Sequence, residues 1–362
     1  MNAETILDYA IPGLARFRLR LAGAGRLRAA LVNSKFAALA APLPPGQAPD
    51  VEMTIGPFTP GLPPDCRVID KDFWVAPNYL WFRGEHGRGA TEISGLDGGP
   101  VRLRHLPYGE SPAGWPARGL RGVNLYLEPM LDWWLRQRGA RLLHAGAVAT
   151  PAGAVLVCGT NGAGKTRLIL EWCLRHGGVF LGDDLVVLRD DGTVLPLAEH
   201  PMVLSLRAAD VAAGRAPGQN RLRLLGRLWA GKAPVFPPGL RFGAATPLRG
   251  LLLVESTPGA AASHRLLPAA PATLWHNLLR LEELELVKNQ RRHRQLGNFS
   301  RLLMAYEYAF PGSRIFAALL GPEAAPVPPG FARLPAWRLE LGRAWSGDIA
   351  AHVAAEAVAE AT

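Results

Sequence analysis

The chain has 362 residues, 49% hydrophobic and 19% charged, a balance that excludes a disordered segment and allows one large domain or two ordinary ones. Three scattered cysteines, Cys66, Cys158 and Cys173, exclude a disulfide framework and a cysteine zinc site and fit a reducing cytoplasm. The net charge of +10 is nearly all arginine, spread from Arg16 to Arg343 with no basic stripe, so no nucleic-acid partner is expected.

The N-terminus lacks the basic and apolar regions of a secretory signal, and no apolar run reaches the ~18–20 residues of a membrane span. A cytoplasmic protein without a membrane partner is expected, with homo-oligomer formation left open. Residues 1–122 read as short strands between turns: "ARFRLRLAG", "VEMTIGPF", "CRVIDKDFWVA", "YLWFRGE", "ATEISGL" and "VRLRHLP" alternate or carry aromatics. This predicts a small, mostly β domain for substrate recognition or an accessory role, ending in a linker between Pro107 and Gly122. The tryptophan-rich segments "FWVAPNYLW" and "DWW" are expected in the core.

From Asn124 the period changes. Leu127, Met130, Leu131, Trp134 and Leu135 fall at helical spacing, Gly139 supplies a stop, and Pro129 requires the helix to begin beside it. Strands and helices then alternate, which predicts an α/β domain over 123–362. Later elements are a strand at "RGLLLVES", a helix at "ATLWHNLLRLEELELV" and a terminal helix from Asp348; "RRHR" at Arg291–Arg294 reads as a solvated helix face.

The strongest signal is "AVLVCGTNGAGKT", in which Gly159 to Thr166 fit the phosphate-loop (Walker A) pattern G-x-x-x-x-G-K-[ST] between a buried-strand run and a helix. Glycines at 159, 162 and 164 let backbone N–H groups converge on phosphate oxygens, and the helix N-terminus adds its positive potential. The nucleotide-binding set is Gly159, Thr160, Asn161, Gly162, Ala163, Gly164, Lys165, Thr166 and Arg167. Lys165 is expected on the β- and γ-phosphates of ATP, and the Thr166 hydroxyl on Mg²⁺.

One helix further on, "VFLGDDLVV" sets Asp183 and Asp184 in or at the end of an apolar strand. A crossover returning to the same parallel sheet brings them to the loop's edge, where carboxylates hold Mg²⁺ or take a proton. Neighbouring side chains on a strand diverge, so the two do not share one role. Asp190-Asp191-Gly192, by contrast, reads as a hairpin tip.

Upstream, "HAGAVATPAGAVLVCG" reads as a hairpin with Thr150 opposite Gly153 across Pro-Ala. Ala149 then faces Ala154, Val148 faces Val155, and His144 faces Gly159, beside the phosphates.

HAG at His144, the hairpin into GTNGAGKT and the LGDD segment together resemble the HPr kinase/phosphorylase family. Its core is similar to that of ATP-type phosphoenolpyruvate carboxykinases, and the resemblance covers residues 140–210. It implies an α/β fold with that P-loop core. It also implies Asp183 as the base for a serine hydroxyl and Asp184 as organiser of magnesium or His144. The segment "GKAPVFPPGLRFG" would be a loop near the substrate, with Lys232 and Arg241 as phosphate contacts; the family's glutamate-bearing segment is not found after the aspartates, where "VLPLAEHPMVLSLR" offers only Glu199. The first third does not resemble the usual regulatory domain of that family. The likeness is therefore to its divergent members, with a substrate other than HPr.

The expected function is Mg²⁺- and ATP-dependent phosphorylation of a hydroxyl, first a serine of a peptide or protein. A small-molecule hydroxyl, and a non-catalytic ATP-binding regulator, stay open as alternatives.

Overall fold

A computed structural model of the protein describes residues 4–22, 36, 39–69, 71–83, 89–96, 98–107, 123–160, 162–197, 201–217, 226–227, 230, 232, 234–257, 264–292, 298–313, 315, 327, 330–342, 345–346 and 348–359. They form a mixed α/β protein with two mixed sheets and six α-helices. The chain divides into two compact units. One comprises Met1–Lys35, Leu39–Arg138 and Leu284–Ala324; the other comprises Phe36–Ala38, Gly139–Glu283 and Ala325–Thr362. The expected linker, 108–122, lies outside the described residues, and residues 123–138 group with the first unit.

The first unit is built on eight strands: β1 (Thr5–Ile11), β2 (Ala15–Leu21), β3 (Val51–Ile55), β4 (Arg67–Ile69), β5 (Phe73–Ala76), β6 (Tyr79–Arg83), β7 (Ala90–Ser94) and β8 (Val101–Leu106). Their order is β1-β2-β3-β8-β7-β6-β5-β4, with β2, β3 and β8 parallel and the other neighbours antiparallel. Alternation sorts the faces: Phe17, Leu19, Leu21, Val51, Met53 and Ile55 are buried, whereas Arg18, Arg20 and Glu52 between them are not.

On the polar face arginines meet carboxylates. Arg18 Nε donates to Asp8 and Arg20 Nε to Glu52, both at 2.6 Å, and Arg104 pairs with Glu92. Part of the positive charge is thus matched locally. The stretch Cys66–Ala76, read as one strand, is a hairpin instead, turning near Lys71 at φ 43°.

Helix α1 (Glu128–Arg136) follows a π-helical turn, Val123–Leu127, and begins beside Pro129 as that residue demands. It buries Met130, Leu131, Trp133 and Trp134. The next described helix of this unit, Asn298–Ala309, packs on β5 and β6; the Tyr306 hydroxyl accepts the Asn78 N–H at 3.0 Å.

The second unit holds β9 (Ala140–Leu143), β10 (Gly146–Thr150), β11 (Gly153–Cys158), β12 (Val179–Gly182), β13 (Val186–Arg189), β14 (Thr193–Leu195), β15 (Thr246–Ser256), β16 (His264–Pro268) and β17 (Ala336–Leu341). Its helices are α2 (Lys165–Arg175), α3 (Pro201–Ala212), α4 (Pro271–Arg292, which runs past the unit's edge at Glu283) and, last in the chain, α6 (Asp348–Ala359), so that Asn298–Ala309 is α5.

β11 lies between β10, antiparallel, and β15, parallel, and β15 pairs in parallel with β17. β12 joins the far side of β10. It therefore runs in the same direction as β11 in the same sheet, with its C-terminal end on the loop's side as expected, but antiparallel β10 lies between them, so the sheet is mixed and not the expected parallel one. The hairpin β10–β11 has the expected register, Thr150 opposite Gly153 and Val148 opposite Val155. The turn at Asp190-Asp191-Gly192 joins β13 to β14.

Strands buried on both faces read as unbroken apolar runs, which is why "AVLVC" and "GLLLV" sit at the centre. On one face Val155, Val157, Leu252 and Val254 meet Leu168, Ile169 and Trp172 of α2, Leu204 and Ala208 of α3, and Ile349 and Val353 of α6. On the other, Leu156, Leu251 and Leu253 meet Leu274, Trp275 and Leu278 of α4 and Val186 and Leu188 of β13. Among the described residues no helix is long and apolar enough to cross a membrane.

Leu252 is fully buried on β15. Leu252→Ala is expected to lower unfolding free energy by about 2–5 kcal/mol, read as a urea-midpoint shift; a loss under about 1 kcal/mol would contradict its place in the core.

Candidate active site

The glycine-rich loop leaves β11 at Gly159, whose φ of 148° brings it so close to the Val254 carbonyl oxygen that a Cβ would collide. Ala163 N–H donates to Thr160 O at 3.1 Å, and Gly164, at φ 104°, starts α2 at Lys165. Lys165 is 7% exposed, its Nζ donating to Gly159 O at 2.5 Å and Thr160 O at 3.2 Å. The ammonium is thus held over the loop by carbonyls that a phosphate oxygen, carrying full charge, would outcompete. Asn161 lies outside the described residues.

Asp183 follows the last residue of β12 and is 2% exposed. Its Oδ2 accepts from Arg207 Nη1 of α3 at 2.9 Å, while Oδ1 is shielded from water without a hydrogen-bond partner. Burial pushes its pKa up. The Arg207 charge opposes this, Asp184 adds to it, and the Thr166 hydroxyl and Lys165 ammonium pull it back down. The carboxyl is therefore tied electrostatically to Lys165 and Thr166 at the end of the glycine-rich loop.

Asp184 turns the other way, its side chain 34% exposed and its Oδ1 3.5 Å from His144 Nε2. The divergence of the two aspartates is the one expected of adjacent residues leaving a strand. The Thr166 hydroxyl and the Asp184 carboxylate are hard oxygen donors of the kind Mg²⁺ takes together with phosphate and water. No group of three or more histidine, cysteine or carboxylate ligands occurs among the described residues.

His144 arrives by a different route from the one expected. β10 begins at Gly146, so the hairpin does not extend to His144 opposite Gly159. Leu143 pairs with Val186 in β9–β13, and Ala147 with Gly182 in β10–β12. These pairs belong to one antiparallel register, interrupted by a bend on each side. Continued across the gap, the register sets Ala145 opposite Asp184 and Gly146 opposite Asp183. Gly146 fits because the Gly182 and Asp183 carbonyl oxygens would lie 2.9 and 3.1 Å from a Cβ there. The imidazole reaches Asp184 through this second pairing.

The remaining predicted residues part company. Arg167 Nε donates to Glu171 at 3.1 Å, and its guanidinium lies 4.7 Å from the ring centre of Trp345. Arg241 Nη2 donates to Gly177 O at 2.5 Å, at the far end of α2, so the structure does not bring it to the loop. Its backbone carbonyl accepts from Phe180 N–H at 2.8 Å along β12. Lys232 is exposed, and no hydrogen bond or ion pair among the described residues joins it to the loop. Glu199 lies outside the described residues.

Arg207 and Trp345 were not singled out from the sequence. A signal for the first existed, a lone arginine inside the apolar run "PMVLSLRAADVA". No signal pointed to Trp345, which is carried by a distant strand. No protein-family model matches the chain, and no curated protein matches it.

A carboxyl whose folded pKa lies above its unfolded value favours the folded state least once it is ionised: its contribution is lost as pH rises through the folded pKa. Asp183→Asn is therefore expected to raise the melting temperature at pH 8, by an increment that narrows as pH is lowered toward the ordinary carboxylate range. Equal increments at all pH values in differential scanning calorimetry would remove burial as the cause.

Proposed function

We propose that this protein is a Mg²⁺- and ATP-dependent phosphotransferase that moves the γ-phosphoryl group to a hydroxyl, on an HPr-kinase-like core related to phosphoenolpyruvate carboxykinases. The observation that carries the reading is the buried Asp183 carboxyl, coupled to Thr166 and Lys165 of the loop and tied at one oxygen to Arg207. A solitary phosphate loop supports nucleotide binding alone. A shielded carboxyl with a raised pKa beside it adds a proton acceptor.

In this reading the N–H groups of Gly159–Thr166 grip the triphosphate and Lys165 leaves its carbonyls for the β- and γ-oxygens. Mg²⁺, held by the Thr166 hydroxyl and Asp184, supplies charge compensation on those oxygens. Arg207 fixes Asp183 through Oδ2, so Oδ1 takes the acceptor's proton as the acceptor oxygen bonds to phosphorus and the bond to the β-phosphate oxygen breaks. Burial that raises the pKa makes the carboxylate a stronger base than an exposed aspartate. His144, 3.5 Å from Asp184, orients that carboxylate. The first acceptor class to test is a serine of a peptide or protein, on the strength of the HAG, GTNGAGKT and LGDD resemblance.

Incubation with γ-labelled ATP, Mg²⁺ and peptide and small-molecule fractions of a lysate should place label on a hydroxyl-bearing acceptor, identified by mass spectrometry. Lys165→Ala should lower transfer at least ~100-fold, and Asp183→Asn should abolish transfer while ATP still binds. Label found only in inorganic phosphate, or full transfer by Asp183→Asn, would overturn the assignment.

A further inference from the structure

The order of the second sheet gives the proposed site two unlike flanks. β11, β12, β15 and β17 all run one way, so the segments after them emerge along one edge. The phosphate loop follows β11. Asp183 follows β12, two strands to one side, and Trp345 follows β17, two strands to the other. With neighbouring strands about 4.8 Å apart, each flank lies roughly 10 Å from the loop's strand. A nucleotide gripped at its phosphates and directing its terminal phosphoryl toward Asp183 must extend its nucleoside toward Trp345.

What stands there suits a base. Trp345 is partly exposed, and its ring edge lies so near Gly164 that a Cβ on that residue would be 3.3 Å from Cζ3. Its Nε1 donates to Glu171 Oε2 at 2.9 Å, and the other Glu171 oxygen holds Arg167 Nε at 3.1 Å. Glu171 is only 1% exposed, so a buried carboxylate on α2 fixes both groups. The Arg167 guanidinium over the indole makes one polarised, rigid surface, carried by the residue next to Thr166.

We infer that Trp345, backed by Arg167 and positioned by Glu171, is the nucleoside-binding wall of the site, on which the purine stacks. This rests on the proposed nucleotide binding and adds the direction in which the nucleotide lies. An aromatic platform recognises a π-face, whereas the loop recognises phosphate, so the two contributions separate experimentally.

Calorimetric titration of the full-length protein with Mg²⁺-ATP and with Mg²⁺-tripolyphosphate, which lacks a nucleoside, tests this. Trp345→Ala should weaken ATP by about tenfold or more while tripolyphosphate stays within about twofold, and Trp345→Phe should keep most of the ATP affinity. Equal weakening of both ligands would make Trp345 a brace for the loop, and no change in either would put the base elsewhere; both overturn the inference. Lys165→Ala should weaken both ligands. If it weakens neither, or if the unmodified protein binds neither, the nucleotide reading itself fails and takes this inference with it.

Discussion

A carboxyl group almost cut off from water faces the start of a helix, with a lysine and an arginine near it. Burying an ionised carboxylate costs several kcal/mol unless charge and hydrogen bonds replace the lost water. At Asp183 the replacement is incomplete: Arg207 engages one oxygen, and the other has no hydrogen-bond partner of good geometry among the described residues, although Thr166 and Lys165 act on the carboxyl. Structural carboxylates end better matched than this. Glu171, equally buried on α2, is met at both oxygens by Arg167 and Trp345. The two buried acids thus differ in how far protein groups replace their lost water.

That placement depends on backbone more than on side chains. Gly146 and Gly182 face a neighbouring segment so closely that carbonyl oxygens occupy the space of a Cβ. The chain can then bend at the β9–β10 and β12–β13 junctions while Leu143–Val186 and Ala147–Gly182 keep one register, which shifts only beyond Ala147. His144, Asp183 and Asp184 all fall in that bend, where side chains leave the regular alternation of a strand. Apolar packing on both faces, from α2, α3 and α6 on one and α4 and β13 on the other, supplies the rigidity that such a bend needs.

The arginine excess reads differently once partners are known. In the first unit's sheet Arg18, Arg20 and Arg104 are each matched by a carboxylate on the same face. These pairs are partly buried, and they neutralise a face whose other side is core. Net charge counted along a sequence overstates the field that a partner meets.

Local chemistry was legible in the sequence. The Thr150–Gly153 hairpin register, the glycine loop opening a helix, the turn at Asp190–Gly192 and the helix beginning beside Pro129 all follow from residues close in the chain. Their physics, a turn conformation or a missing N–H, acts over a few positions. What joins segments far apart was decided only by the tertiary structure: antiparallel β10 between β12 and β11, Arg207 on Asp183, and Trp345 against Gly164. Strand order and helix docking arise from burying whole apolar faces at once, and many orders satisfy one apolar pattern. The composition of the loop therefore follows from sequence, while its two flanks follow from which strands came to lie on either side of it.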